Sequence, residues 1–264
     1  MLFTNESVFP YRHDIEILGV TIVDDLVLTR KNEGIWSSVL FFFDVINYIK
    51  KSKLFIEDDN FILLDTDVLA IKGCNILFDY IDLHNCNLAY SIGIYDEDFL
   101  FHNKKISNLN ALSEVFFGES NSNKIKTLIG GEFFGFKKAN LTDILRISDY
   151  FLNYSDLTTE EQILSIINAQ LNFCFFNNTI FRVWTSYKFY KVPKDNNYFF
   201  LHFPAEKKFG IFYLFESLKK LNNNDFLRYS NLVKKYIPFT NKFRLFLFRL
   251  YFKIKFDFLT NFKW

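Results

Sequence analysis

Apolar residues recur along this chain in short blocks, each bounded by polar or small residues, and the spacing inside each block separates strands from helices. Residues 15–20 read as a strand. Residues 34–50 read as a helix whose apolar face takes in Trp36, Val39, Leu40, Phe43 and Ile46, and residues 61–64 form an unbroken apolar strand. Strand, helix, strand in that order is the βαβ unit of a parallel sheet. Residues 88–94 and 128–136 continue the strand series, with a short helix over 109–117 between them. Helices are predicted over 139–154 and from Asp156 onward, where Thr158 and Glu161 have the spacing of a capping box. Aromatic-rich strands follow at 181–184 and 198–203. Beyond Phe209 the pattern is helical, over 210–221, 225–236 and a last stretch from Pro238. The expected architecture is α/β: a mixed sheet flanked by helices, with a helical appendage at the C-terminal end.

Composition narrows the class. The 264 residues hold 36 Phe and 14 Tyr but only 9 Gly and 4 Pro, which excludes collagen-like and disordered chains and supplies a large core. Three unevenly spaced cysteines, Cys74, Cys86 and Cys174, suggest a reducing compartment and not a disulfide scaffold. No basic-then-apolar leader opens the chain and no run of about eighteen apolar residues occurs, so neither a signal peptide nor a spanning helix is expected. The net charge of +1 conceals a polarity: residues 205–264 carry +9 and the remainder −8. A basic, aromatic segment on an acidic body implies an anionic partner. We divide the chain into a body, 1–222, and an appendage, 223–264.

Chemistry concentrates where the strand at 61–64 ends. Asp65 and Asp67 follow it directly, and residues i and i+2 of a strand share a side, so two hard oxygen ligands can converge on a divalent cation. The segment resembles the Asp-x-Asp element of GT-A glycosyltransferases, whose Rossmann-like domain transfers a sugar from a nucleotide-diphosphate donor. The resemblance covers residues 1 to about 210 and implies a Mn²⁺ or Mg²⁺ ion held by Asp65 and Asp67 against the donor diphosphate, with Asp65 also near the ribose. His202 and Lys207 resemble the late His-x-x-x-x-Lys stretch of metal-dependent retaining members. This implies His202 as a third metal ligand and Lys207, with Lys208 beside it, as diphosphate contacts. Thr4 would end the first nucleotide-binding strand.

Gly130, Gly131 and Glu132 resemble the glycine-rich strand that lines the acceptor side of such enzymes. There glycine lets backbone approach a sugar and Glu132 would supply a polar contact, although a bulged edge strand needs glycine as well. Glu160 and Glu161 resemble the acidic pair that follows that strand, Glu161 the favoured catalytic carboxylate. Acidic residues in a first helical turn also favour the helix dipole. His13, His84 and His102 lack mutual metal-ligand spacing. In the segment 239–264, cations interleave with bulky apolar residues, so long basic side chains can snorkel to lipid headgroups while aromatics insert.

These features together imply a metal-dependent, hexosyltransferase-like bacterial enzyme, cytoplasmic and peripheral on the inner face of the membrane. It would use a nucleotide-diphosphate sugar, UDP-linked by preference, and a lipopolysaccharide, capsule or lipid-linked glycan acceptor. Nucleic acid is not an expected partner. A metal-dependent nucleotidyltransferase and a non-catalytic membrane- or nucleic-acid-binding scaffold are the alternatives.

Overall fold

The computed structural model describes residues 1–4, 12–17, 19–24, 26, 39–154, 156–185, 190–191, 197–203 and 250. In chain order the elements are β1 (Leu2–Phe3), α1 (Arg12–Glu16), β2 (Ile22–Val23), α2 (Phe41–Lys51), β3 (Asn60–Leu64), β4 (Val68–Ala70) and α3 (Asn75–His84). There follow β5 (Leu88–Ile94), β6 (Leu100–Phe101), β7 (Lys104–Lys105), α4 (Ile106–Phe117), β8 (Thr127–Lys137) and α5 (Leu141–Phe151). The last are α6 (Glu160–Leu171), β9 (Ile180–Arg182), β10 (Trp184–Thr185), β11 (Tyr190–Lys191) and β12 (Phe200–His202). The protein is thus a mixed α/β chain. It divides into two compact units, Met1–Leu63 with Phe78–Phe175, and Leu64–Leu77 with Phe176–Trp264. The boundary expected near residue 222, and the appendage 223–264 apart from Leu250, lie outside the described residues.

The first unit is built on β8, the middle strand of the order β3-β8-β5. Residues Leu128–Phe136 of β8 are buried apart from the half-buried Gly131, because α6 packs on this strand and β3 and β5 flank it. β5 runs antiparallel to β8. Phe61 and Phe136 stack with ring centroids 5.5 Å apart, and Phe43, Ile46, Ile49, Ile144, Ile147 and Phe151 fill the layer where α2 meets α5. Lys138, itself buried, donates from Nζ to the carbonyls of Ser52 (2.9 Å) and Phe55 (2.7 Å), tying the chain after α2 to the end of β8. A cation is the right group there, since helix C-termini leave carbonyls without intrahelical partners.

One sequence expectation near the start of this unit is corrected. The described residues of 15–20 are not a strand. Arg12 and Glu16 pair one helical turn apart in α1, and Gly19, at φ +76, stops the helix by donating to the Glu16 carbonyl. A glycine in that left-handed conformation ends a helix as readily as it breaks a strand. The strand in this region is β2, which pairs in parallel with β1, and Thr4 donates to the Val23 carbonyl just past β1. The helix expected from residue 34 is seen from Phe41; residues 34–38 lie outside the described residues. The helices expected at 109–117 and 139–154 form as α4 and α5.

The second unit contains a three-stranded sheet of order β4-β12-β9. β12 is antiparallel to β4 and parallel to β9, and Ile180, Phe200 and Leu201 are buried in it. It is a mixed sheet on a small scale, assembled from two stretches far apart in the chain.

Candidate metal centre and a carboxylate–imidazole pair

Within the second unit, Asp65, Thr66 and Asp67 form the turn that leads into β4. The Val68 N–H donates to the Asp65 carbonyl (3.1 Å), and the Asp65 carboxylate accepts from the Thr66 N–H (2.8 Å). The two carboxylates therefore converge through a turn and not through the pleat of a strand, which corrects the expected geometry while preserving its result. The turn also sorts them: Asp65 is exposed, whereas Asp67 is 3 % exposed.

β12 brings the third group. Its register sets His202 opposite Val68, and the Phe203 N–H donates to the Asp67 carbonyl oxygen (3.0 Å), so the end of β12 is clamped onto the residue that carries the carboxylate. His202, itself 6 % exposed, lies with Nε2 3.2 Å from Asp67 Oδ1. One ligand atom from each of Asp65, Asp67 and His202 falls within 4.8 Å of the others. Two carboxylates and an imidazole form a donor set suited to a divalent first-row ion, and nitrogen tilts it from magnesium toward manganese. Donors around such an ion stand roughly 3–4 Å apart at bond lengths of about 2.0–2.2 Å, so a modest side-chain contraction would close the set. Lys207 and Lys208 lie outside the described residues.

Sequence reasoning passed over Arg182. It is half-buried on β9, and the parallel register places it opposite His202. No linear motif reveals this, because the neighbour relation exists only once β9 and β12 pair.

The first unit holds the other sequence candidates. The ladder between β5 and β8 pairs Ala89 with Phe134 and then Tyr90 with Gly130, so Gly131, Glu132 and Phe133 are extra residues in β8. Gly130–Glu132 is therefore bulged, but in a central strand and not at an edge. The bulge aims the Gly131 N–H at Glu161 Oε1 (3.1 Å). A Cβ on Gly131 would sit 2.0 Å from Glu160 Oε1, so here glycine admits the neighbouring carboxylate. Glu132 is buried at 2 % exposure.

The expected capping box is shifted by one residue. Thr159, and not Thr158, caps α6: its hydroxyl accepts from the Gln162 N–H (3.3 Å), while Gln162 Oε1 accepts from the Thr158 and Thr159 N–H groups (2.9 and 3.3 Å). Gln162 Nε2 donates further, to the carbonyls of Phe101 (3.1 Å) and His102 (3.3 Å), and so fixes the β6–β7 hairpin. His102 and Asn103 form the two-residue turn of that hairpin, both with positive φ (48° and 65°), as a type I′ turn requires. With the cap supplied by Gln162, Glu161 is released from that task. Its second oxygen lies 2.5 Å from His102 Nε2. The partner of His102 lies across the fold, where spacing along the chain cannot point to it; the Asn-containing hairpin turn is the local signal that places it.

No protein family, curated protein or solved structure matches the chain.

Proposed function

We propose that this protein is a metal-dependent glycosyltransferase of GT-A type. It would transfer a sugar from a nucleotide-diphosphate donor, UDP-linked by preference, to a lipopolysaccharide, capsule or lipid-linked glycan acceptor. The observation that carries the reading is the gathering of Asp65, Asp67 and His202 from two distant segments into one cluster with a buried side. Solvated acidic turns are common, but a turn whose second carboxylate is buried against an imidazole is a prepared donor set. Asp65, Asp67 and His202 would hold Mn²⁺ or Mg²⁺; when bound, such an ion offsets negative charge on a departing nucleotide. Within the first unit, Glu161, oriented by the Gly131 N–H and His102, is the carboxylate to which the resemblance gives a catalytic role, with Glu160, Gly130 and Glu132 beside it in sequence.

Thermal-shift titration tests the donor site, because a ligand that binds only the folded state raises its stability by mass action. Mn²⁺ with UDP is expected to raise the melting temperature of the native chain. Asp65→Asn, Asp67→Asn and His202→Ala should each remove the Mn²⁺-dependent part. An undiminished response in the double Asp variant would overturn the assignment.

No helix among the described residues is long and apolar enough to cross a membrane. Peripheral docking through residues 239–264 rests on the +9 charge of 205–264 and its interleaved aromatics. Deleting 239–264 is expected to release the protein from sedimenting anionic vesicles. Equal pelleting of the shortened chain would sink the docking role.

A further inference from the structure

We propose that Arg182 is an anion ligand of the Asp65–Asp67–His202 cluster and takes a phosphate oxygen of a diphosphate group; this rests on the metal-centre reading above. Three observations lead there. First, Arg182 and His202 are register partners on adjacent parallel strands, and the bond from the Val183 N–H to the His202 carbonyl (2.8 Å) fixes that register at the site itself. Directly paired residues of neighbouring strands project from the same face of a sheet, with the strands about 4.8 Å apart. Arg182 therefore leaves the sheet beside the imidazole that faces Asp67.

Second, the alternation along β9 is clean. Phe181, opposite Leu201, is on the other face and packs its ring on Tyr198 at 4.9 Å, which leaves Arg182 to the face of His202. Third, the charge balance demands a cation. The two carboxylates cancel the charge of one divalent ion, so a diphosphate arriving there would bring uncompensated negative charge next to the buried Asp67. A guanidinium on the same face meets that need, and its planar fork suits phosphate oxygens in pairs.

The test uses the full chain and inorganic pyrophosphate as the probe, titrated calorimetrically with Mn²⁺ and again in chelator, with Mn²⁺ alone titrated separately. Arg182→Gln is expected to weaken pyrophosphate binding by at least about tenfold, with Arg182→Lys recovering only part, because a point charge replaces a fork. Mn²⁺ binding alone should be retained in both. Pyrophosphate binding by Arg182→Gln within about twofold of the native chain overturns the assignment. A second measurement needs no variant: in the native chain, pyrophosphate should protect Arg182 from phenylglyoxal, read by mass spectrometry, and modification at an unchanged rate also overturns it. The two readings separate. If the native chain binds no Mn²⁺ yet pyrophosphate binding depends on Arg182, the metal centre fails and the arginine site stands. If Mn²⁺ binds through Asp65 and Asp67 and pyrophosphate ignores Arg182, the reverse holds.

Discussion

Cys86 illustrates how far a single side chain's surroundings can move its chemistry. Burial, and next the hydrogen-bonded thiol of Cys174, push its pKa up to about 12. Across the window from the ordinary thiol value of about 8.5 to about 12, the folded chain keeps a proton that the unfolded chain releases. Stability from this group is complete below that window and is lost as pH rises through it. The urea midpoint is therefore expected to fall between pH 8 and 10.5, and to fall less in Cys86→Ala; equal slopes in the two proteins would contradict the thiol's part. At this scale the sequence was informative about identity but not about surroundings. Asp65, Asp67 and His202 were legible as a donor set because carboxylate and imidazole chemistry is intrinsic to the residues. That Asp67 is buried while Asp65 is exposed follows from a turn and a distant strand, and no property of the tripeptide encodes it. Arg182 and His102 were illegible for the same reason, since their meaning is a neighbour contributed from elsewhere.

Element by element, the local signals worked where they were redundant. β5, β8, α4 and α5 were legible because long apolar runs or helical periodicity leave little choice. They failed where one residue could serve two structures: Gly19 inside an apolar stretch, and adjacent threonines before α6. The threonine pair decides which side chain completes the capping box, Glu161 if Thr158 is the cap and Gln162 if it is Thr159. Thr159→Ala is expected to cost about 0.5–2 kcal/mol of stability with nucleotide binding unchanged, whereas Thr158→Ala should cost little. Denaturant unfolding measures both, and equal losses would return the cap to an ambiguous position. Glu161→Gln, by contrast, should leave the helix start intact, since Gln162 already accepts from the Thr158 and Thr159 N–H groups. Strand pairing itself was the least legible layer. The three-residue bulge at Gly131–Phe133 and the antiparallel course of β5 against β8 depend on partners far apart in the chain, so a pattern read along one strand cannot supply them.

For the molecule as a whole, neither compact unit is a continuous stretch of chain. The second is completed by an insertion, Leu64–Leu77, carried within the first. β4 has β12 as its partner, so a fragment of residues 176–264 would keep His202 and lose both carboxylates along with the strand that clamps β12. Such a fragment is expected to show no cooperative thermal transition and no Mn²⁺ response, and a folded, Mn²⁺-binding 176–264 would refute the shared assembly. The same discontinuity governs the order of events during synthesis. Asp65 and Asp67 leave the ribosome early, but the imidazole beside them is made only after the whole of the first unit, and closing so long a loop is entropically uphill until β4 and β12 zip together. The cluster therefore forms late, after the first unit. A nascent chain that ends with the first unit carries the two aspartates without the imidazole beside them, and the three side chains can gather only after His202 has been made.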